Sequence, residues 1–217
     1  METHAVDTEP NIFIIDDDPA VRQALTVLIR SMRLQTQSFE SAQQFLDRFE
    51  RTQPGCLLLD VRMPGISGME LLERLRQEDV HLPAIVMSAY GDVPMVVRAM
   101  KAGALNFLEK PCRDQELWEA IHEAIQWDTA HRQTLTLRDK VLRRLQRLTA
   151  GEQTVLRMLI NGRSNKVIAE ELKLSVRTIE VRRAKVMKKM KAESLAELIR
   201  LTLNANPRFA DPQTAGG

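Results

Sequence analysis

The sequence has little that would mark a secreted or a membrane protein. It contains only two cysteines, Cys56 and Cys112, which lack both metal-type spacing and the partners for a disulfide framework, as is typical of a reducing compartment. No apolar run reaches the ~18 residues that a membrane-spanning helix needs. The polar, acidic start, residues 1–7, has neither the basic nor the apolar region of a signal peptide. We therefore expect a cytoplasmic protein that does not engage a membrane.

Charge is divided unevenly along the 217 residues, although the net charge is only +2. Residues 1–127 hold 12 basic and 20 acidic side chains, whereas residues 148–204 hold 12 basic and 6 acidic ones. A chain of this length can form two domains, each with a core of its own. The charge pattern predicts an acidic first domain and a basic second domain that binds an anionic partner.

Five short apolar segments alternate with amphipathic helices in the first part of the chain. The predicted strands are residues 12–15, 35–39, 56–59, 84–87 and 106–108. Asp18 before Pro19, Asp92 and Asp114 are predicted to cap the first, fourth and fifth helices. Regular alternation of this kind predicts an α/β doubly wound (βα)5 domain with a parallel sheet, over residues 10–127.

Polar side chains stand where the predicted strands end, namely Asp16, Asp17, Asp60, Ser88 and Lys110. The carboxyl ends of parallel strands meet at one crevice, where carboxylates would repel one another unless a cation such as Mg²⁺ lay among them. A lysine and a serine there can hold an oxyanion, and an aspartate can accept a phosphoryl group as an acyl phosphate. Each residue alone also fits a turn or a solvated surface. A metal-dependent phosphatase with Asp60 as a transient nucleophile is an alternative.

The motifs that carry these residues resemble the receiver domains of bacterial two-component response regulators. They are the segments 14–18, 58–65, 87–89 and 107–111. The resemblance implies that Asp60 is the phosphoacceptor, to which a sensor histidine kinase donates a phosphoryl group. It implies that Mg²⁺ is held by Asp16, Asp17, Asp60 and the backbone carbonyl of Arg62, that Lys110 contacts the phosphoryl oxygens, and that Ser88 and Phe107 form a switch pair. Phe107 also fits an ordinary core position.

The second part of the chain is predicted to be helical up to residue 204. Residues 128–147 contain no Gly or Pro, which predicts a helical linker with room for a break near residues 134–136. Residues 148–204 form a small all-α four-helix unit in which Thr149, Ser164, Ser175 and Ser194 precede the helices. Two of those helices are joined by a tight turn, which predicts a helix-turn-helix. Residues 205–217 are expected to form a disordered tail.

The helix after that turn has two different faces. Ile179, Val186 and Met190 share the predicted buried side, and the opposite side mixes small and basic side chains, as in a helix that lies in a major groove. A solvated basic face is the alternative. Segments 148–156, 162–169, 174–183 and 196–198 resemble the LuxR/FixJ-type DNA-binding domain. The resemblance implies that bases are faced by Glu180, Val181 and Ala184, and phosphates by Lys166, Arg177, Thr178, Arg182, Lys185 and Lys188.

Together the two resemblances point to the FixJ/NarL group of response regulators. They imply a phosphorylation-controlled transcription factor that is not an enzyme and that forms a homodimer when phosphorylated. The implied partners are a sensor histidine kinase, double-stranded promoter DNA and RNA polymerase. A constitutive DNA-binding regulator, whose receiver only mediates protein contacts, is the second reading that the sequence leaves open.

Overall fold

The computed structural model of the chain describes residues 9–210, so the expectations for residues 1–7 and 211–217 lie outside the described residues. The elements of the first part are β1 (Asn11–Ile15), α1 (Pro19–Ser31), β2 (Gln35–Phe39), α2 (Ala42–Arg48), β3 (Gly55–Asp60), α3 (Gly68–Gln77), β4 (Ala84–Ser88), α4 (Val93–Ala102), β5 (Asn106–Glu109) and α5 (Asp114–Gln146). All five predicted strands are confirmed. Four of them extend by one or two residues beyond the predicted apolar run.

The five strands form one parallel sheet in the order β2-β1-β3-β4-β5. The chain passes from β1 to β2 on one side of it and then returns past β1 to β3 on the other side. In an open α/β sheet such a switch point opens a crevice at the carboxyl ends of the two central strands. Asp16 directly follows β1 and Asp60 ends β3, so both acids lie at this crevice.

Two hydrophobic cores cover the two faces of the sheet. Phe13, Leu57 and Leu59 point to the core that α2, α3 and α4 complete. Ile12, Ile14 and the remaining alternate positions of the strands point to the core that α1 and α5 complete. Because successive side chains of a strand point to opposite faces, strands buried on both sides must be almost wholly apolar. The doubly wound architecture is confirmed.

Three helix starts test the caps predicted for the first part of the chain. Asp18 and Asp92 are N-caps whose side chains accept the backbone N–H of Ala20 and Met95 at 2.8 Å each. Asp114 is not a cap, because it is already the first residue of α5. The Glu116 carboxylate instead accepts the backbone N–H of Arg113, the residue before the helix. The prediction that Asp114 caps the fifth helix was wrong.

The chain divides into two compact units between His131 and Arg132. Helix α5 runs from Asp114 to Gln146 with no interruption at residues 134–136. The segment predicted to be a helical linker, residues 128–147, contributes Val141 and Leu145 to the core of the second unit. Among residues 9–210 no helix is both long and apolar enough to cross a membrane.

The second unit contains four further helices, α6 (Ala150–Ile160), α7 (Asn165–Glu171), α8 (Val176–Met190) and α9 (Leu195–Ala205). Their predicted caps are confirmed, since the hydroxyls of Thr149, Ser164, Ser175 and Ser194 each accept a backbone N–H of the helix that follows. The structure differs from the expected disordered tail at residues 205–210. Ala205 ends α9, and Pro207–Ala210 form a short 3-10 helix whose Phe209 packs against the core.

Candidate functional site

Asp60 is fixed at the end of β3 by hydrogen bonds to both of its carboxylate oxygens. Its Oδ2 accepts the backbone N–H of Arg62 at 2.7 Å, and its Oδ1 accepts the Lys110 ammonium at 2.5 Å. The side chain is only 12% exposed. Gly68 at the start of α3 lies so close that an added Cβ would be 2.0 Å from the Asp60 carbonyl oxygen. The phosphoacceptor candidate therefore sits in a shallow, closely packed site rather than on a mobile loop.

Asp16 is the second acid of the crevice. It is buried, its Oδ1 accepts the backbone N–H of Asp18 at 2.9 Å, and its Oδ2 accepts the Lys110 ammonium at 2.5 Å. Since each oxygen is 2.5 Å from the same nitrogen, Asp16 Oδ2 and Asp60 Oδ1 are at most 5 Å apart. The two acids are close enough to share one cation. Asp17, the third acid of the prediction, is exposed.

Burial and neighbouring charges have opposite effects on the pKa values of Asp60 and Lys110. Burial raises the pKa of Asp60, and the hydrogen bond and charge of Lys110 only partly offset this rise. Burial alone would lower the pKa of Lys110, but its hydrogen bonds to Asp16 and Asp60 outweigh that effect and raise it. The ammonium is therefore kept charged. With both acids ionised, the three groups carry a net charge of −1, so the crevice still attracts a cation.

Ser88 and Phe107 lie on the neighbouring strands β4 and β5. Ser88 is buried, and its hydroxyl donates to the Tyr90 carbonyl at 3.0 Å and accepts the Tyr90 N–H at 3.2 Å. Phe107 is half-buried and packs against the core under α3 and α4. A Cβ at Gly91 would lie 3.1 Å from the Phe107 ring. The hydroxyl is thus bound within its own turn, and the ring lies so close to Gly91 that a Cβ there would require the ring to shift slightly.

Two contacts of the crevice have no counterpart in the sequence motifs. Arg62 stacks over the exposed ring of Tyr90, with its guanidinium carbon 5.0 Å from the ring centroid. The Arg22 Nη1 donates to the backbone carbonyls of Asp16 and Asp17, at 2.7 and 2.9 Å. The spacing of these residues in the sequence indicates neither contact. A guanidinium that binds backbone carbonyls leaves no pattern in the side chains of its partners.

Helices α7 and α8 form the predicted helix-turn-helix around the turn 172–175. Ile179, Val186 and Met190 are buried, as the helical periodicity predicts. Of the predicted DNA-contacting residues, the exposed ones are Lys166, Arg177, Glu180, Val181, Ala184, Lys185 and Lys188. Thr178 and Arg182 are half-buried. The Thr178 hydroxyl is 2.8 Å from that of Ser175, and the Arg182 guanidinium lies over Gly151 of α6.

Comparison with known proteins assigns both units to families. Residues 12–122 match the family described as response regulator receiver domain, and residues 146–202 match the family described as bacterial regulatory proteins, luxR family. This chain belongs to the two-component response regulators. The receiver and the LuxR-type DNA-binding domain account for most of it, so the regulator is a transcription regulator.

Similar proteins share this organisation along nearly their whole length. The transcriptional regulatory protein FixJ of Azorhizobium caulinodans is 44% identical over 203 residues, which cover 94% of this chain and 96% of that protein. The response regulator protein TodT of Pseudomonas putida is 40% identical over 199 residues, covering 92% and 88%. The structure of response regulator StyR matches with a TM-score of 0.80 at 42% identity, covering 90% of this chain and 98% of that one.

Receiver domains generally bind Mg²⁺ at their phosphorylation site, and the donors of this regulator fit such an ion. Asp16 and Asp60 already converge on one cation, the Lys110 ammonium, with hard carboxylate oxygens. Mg²⁺ in proteins is commonly held by one or two carboxylates and keeps several waters. Within residues 9–210, no three His, Cys, Asp or Glu side chains are placed to hold a metal together. The structure thus supplies two carboxylates, and Asp17 remains a predicted third.

Proposed function

We propose that the regulator is switched by transfer of a phosphoryl group from the phosphohistidine of a sensor kinase to Asp60. The observation that carries this proposal is the Lys110 ammonium bound between Asp16 and Asp60. A single cation held by two carboxylates at the switch point is the arrangement that can neutralise an incoming phosphoryl group.

The transfer needs little more than positioning. An Asp60 carboxylate oxygen attacks phosphorus, the P–O bond forms as the P–N bond to the kinase imidazole breaks, and the imidazole nitrogen takes a proton. Lys110 binds a phosphoryl oxygen as charge develops. Asp16, Asp17, Asp60 and the Arg62 carbonyl would hold Mg²⁺, which supplies further neutralisation of the phosphoryl charge.

The signal then passes through Ser88 and Phe107. A phosphoryl group on Asp60 adds charge and acceptor oxygens that draw the Ser88 hydroxyl away from Tyr90. The Phe107 ring turns into the space that the hydroxyl leaves, which reshapes the face formed by α4, β5 and α5. Two copies pair through the reshaped receiver. Pairing raises the effective concentration of the second DNA-binding domain at a two-part promoter site, where the dimer acts on RNA polymerase.

The DNA contacts follow from the exposed face of α8. Val181, 48% exposed, and Ala184 offer apolar contact to base edges, and Glu180 can accept a hydrogen bond from cytosine. The phosphates are bound by a set of six residues on and beside this face, which comprises Lys166, Arg177, Thr178, Arg182, Lys185 and Lys188. Because phosphate contacts release counterions, binding should weaken steeply as salt rises.

The test compares wild type, Asp60→Asn and the control Asp47→Asn, an exposed acid of α2. Each is measured by gel filtration and by binding to duplexes that the phosphorylated wild type selects from a random pool, with and without acetyl phosphate and Mg²⁺. Wild type and the control should dimerise and bind more tightly with the phosphodonor, and Asp60→Asn should do neither. Equal affinity with and without the donor would favour the constitutive regulator. Turnover of a small phosphoester would favour the phosphatase.

A further inference from the structure

One side chain of α1, that of Arg22, donates hydrogen bonds to the turn between β1 and α1. A single nitrogen of Arg22, Nη1, donates to the carbonyl oxygen of Asp16 at 2.7 Å and to that of Asp17 at 2.9 Å. The side chain is half-buried against the turn that it binds. Two consecutive peptide groups, both belonging to the acid motif, are therefore oriented by the same donor.

The second of these peptide groups connects Arg22 to the crevice. In a trans peptide the C=O and the following N–H point in opposite directions. When Arg22 binds the Asp17 carbonyl, it turns the N–H of Asp18 to the other side, where that N–H donates to Asp16 Oδ1 at 2.9 Å. The other oxygen of the same carboxylate, Oδ2, is the one that meets Lys110. Arg22 is thus connected to the Asp16 carboxylate through one rigid peptide plane.

We infer that Arg22 is a positioning residue for the phosphoacceptor site, which presents the Asp16 carboxylate to the cation shared with Asp60. This inference rests on the proposed function. A guanidinium suits the task because its fixed planar donors can bind two adjacent carbonyls while staying charged. Lysine has a compact ammonium on a flexible stem, so it should hold the two carbonyls less firmly.

The expected effect is the one known for groups that orient metal ligands without touching the metal. Removing such a group typically lowers metal affinity or activity by about 10- to 100-fold. Arg22→Gln should therefore raise the Mg²⁺ concentration needed for half-maximal Asp60 phosphorylation by about 10-fold or more. The rate at saturating Mg²⁺ should recover towards that of wild type, since Asp60 and Lys110 are unchanged.

The experiment uses the full chain with wild type, Arg22→Gln, Arg22→Lys and the control Arg30→Gln. Arg30 lies on the same helix and donates to the Thr36 hydroxyl instead of the acid turn. Three quantities are measured, namely the Mg²⁺ dissociation constant by calorimetry, amide exchange of the segment that contains Asp18, and phosphorylation by acetyl phosphate against Mg²⁺. Tryptophan fluorescence verifies that the first unit is folded, because Trp118 and Trp127 both lie in it.

Arg22→Gln should bind Mg²⁺ more weakly and exchange the Asp18 amide faster, Arg22→Lys should be intermediate, and Arg30→Gln should match wild type. Arg22→Gln with wild-type Mg²⁺ affinity and Asp18 protection would overturn the inference. If Arg22→Gln does not fold, the same quantities are measured for Arg22→Lys and for Arg22→Ala with and without added methylguanidinium. Weaker Mg²⁺ binding by Arg22→Lys and partial rescue of Arg22→Ala by methylguanidinium would support the inference, and the absence of both would overturn it. A wild type that neither binds Mg²⁺ nor becomes phosphorylated would refute the proposed function, and Asp18 exchange would still test the role of Arg22.

Discussion

The bond between Glu152 and Lys189 allows a quantitative test of how α8, the second helix of the helix-turn-helix, is held. Glu152 Oε2 accepts the Lys189 ammonium of α8 at 2.6 Å and the backbone N–H of Thr149 at 2.8 Å. The Glu152 side chain is 6% exposed and that of Lys189 is 37% exposed. One carboxylate therefore closes the capping box of α6 and also ties α6 to α8.

Replacing this carboxylate should destabilise the second unit by a predictable amount. A hydrogen bond to a charged group contributes about 1.5–3 kcal/mol, and the partial exposure of Lys189 places this one near 1.5. Glu152→Gln keeps an acceptor for Thr149 and should lose about that much. Glu152→Ala also loses the capping bond, so its total loss should be about 2.5 kcal/mol.

Urea unfolding of the full chain separates the two units. Trp118, Trp127 and Tyr90 all precede residue 132, so tryptophan fluorescence follows the first unit while far-UV circular dichroism follows both. With a slope of about 1 kcal/mol per molar urea, the loss of about 1.5 kcal/mol in Glu152→Gln should shift the second-unit part of the dichroism transition by about 1.5 M. The fluorescence midpoint should stay in place. The control is Glu171→Gln, whose exposed pair with Arg163 at 3.8 Å should contribute less than about 0.5 kcal/mol.

The pH dependence supplies a second, independent test. Lys189 first, and then the Thr149 N–H, lower the pKa of Glu152 below its ordinary value of 4.5. A lowered pKa in the folded state stabilises the fold above the unfolded value, and this stabilisation is lost as the pH falls through the folded value. The difference between wild type and Glu152→Gln should be complete near neutral pH and shrink below 4.5. A difference that does not change with pH, or none at neutral pH, refutes this reasoning.

Three glycines give further predictions. At Gly55, with φ +144°, an added Cβ would be 1.8 Å from the Asn11 carbonyl oxygen, so Gly55→Ala should lower first-unit stability by more than about 2 kcal/mol in fluorescence-detected unfolding. Gly65→Ala, with φ +78° but open space, is its control and should cost about 1 kcal/mol. Gly91→Ala should crowd the Phe107 ring and favour its inward position. It should raise the dimer fraction in gel filtration without phosphodonor, and an unchanged fraction would contradict the proposed switch.

The strands and caps could be predicted because their signals are local. Each strand is a short apolar run, and most helices begin at a side chain that accepts a nearby backbone N–H. The strand ends were underestimated because Asp60, Ser88 and Glu109 continue the hydrogen-bonded ladder after the apolar run has stopped. The apolar pattern indicates which side chains are buried. A residue can pair its backbone in a sheet without having an apolar side chain.

The contacts that escaped prediction join residues far apart in sequence or involve the backbone. Asp128, buried in α5, accepts the N–H of Gly55 across 73 positions. His131 of α5 stacks on His81, which precedes β4, with ring centroids 4.7 Å apart. Composition and periodicity carry no signal for such pairs. The crevice was predictable because parallel topology alone brings the ends of β1, β3, β4 and β5 to one edge.

The bonds of Ser88 limit how strongly a single receiver can be switched. In the proposed mechanism its hydroxyl must give up at least the Tyr90 carbonyl, a neutral bond that contributes about 1 kcal/mol, for a charge-assisted bond of about 2 kcal/mol to the phosphoryl group. Loss of the bond from the Tyr90 N–H would reduce the gain further. A net gain of at most about 1 kcal/mol shifts the equilibrium of one domain no more than about fivefold. Two paired receivers combine their shifts to about 25-fold, and effective concentration amplifies the result on DNA. Strong control by phosphorylation therefore requires dimerisation, and a phosphorylated regulator that cannot pair should respond only weakly.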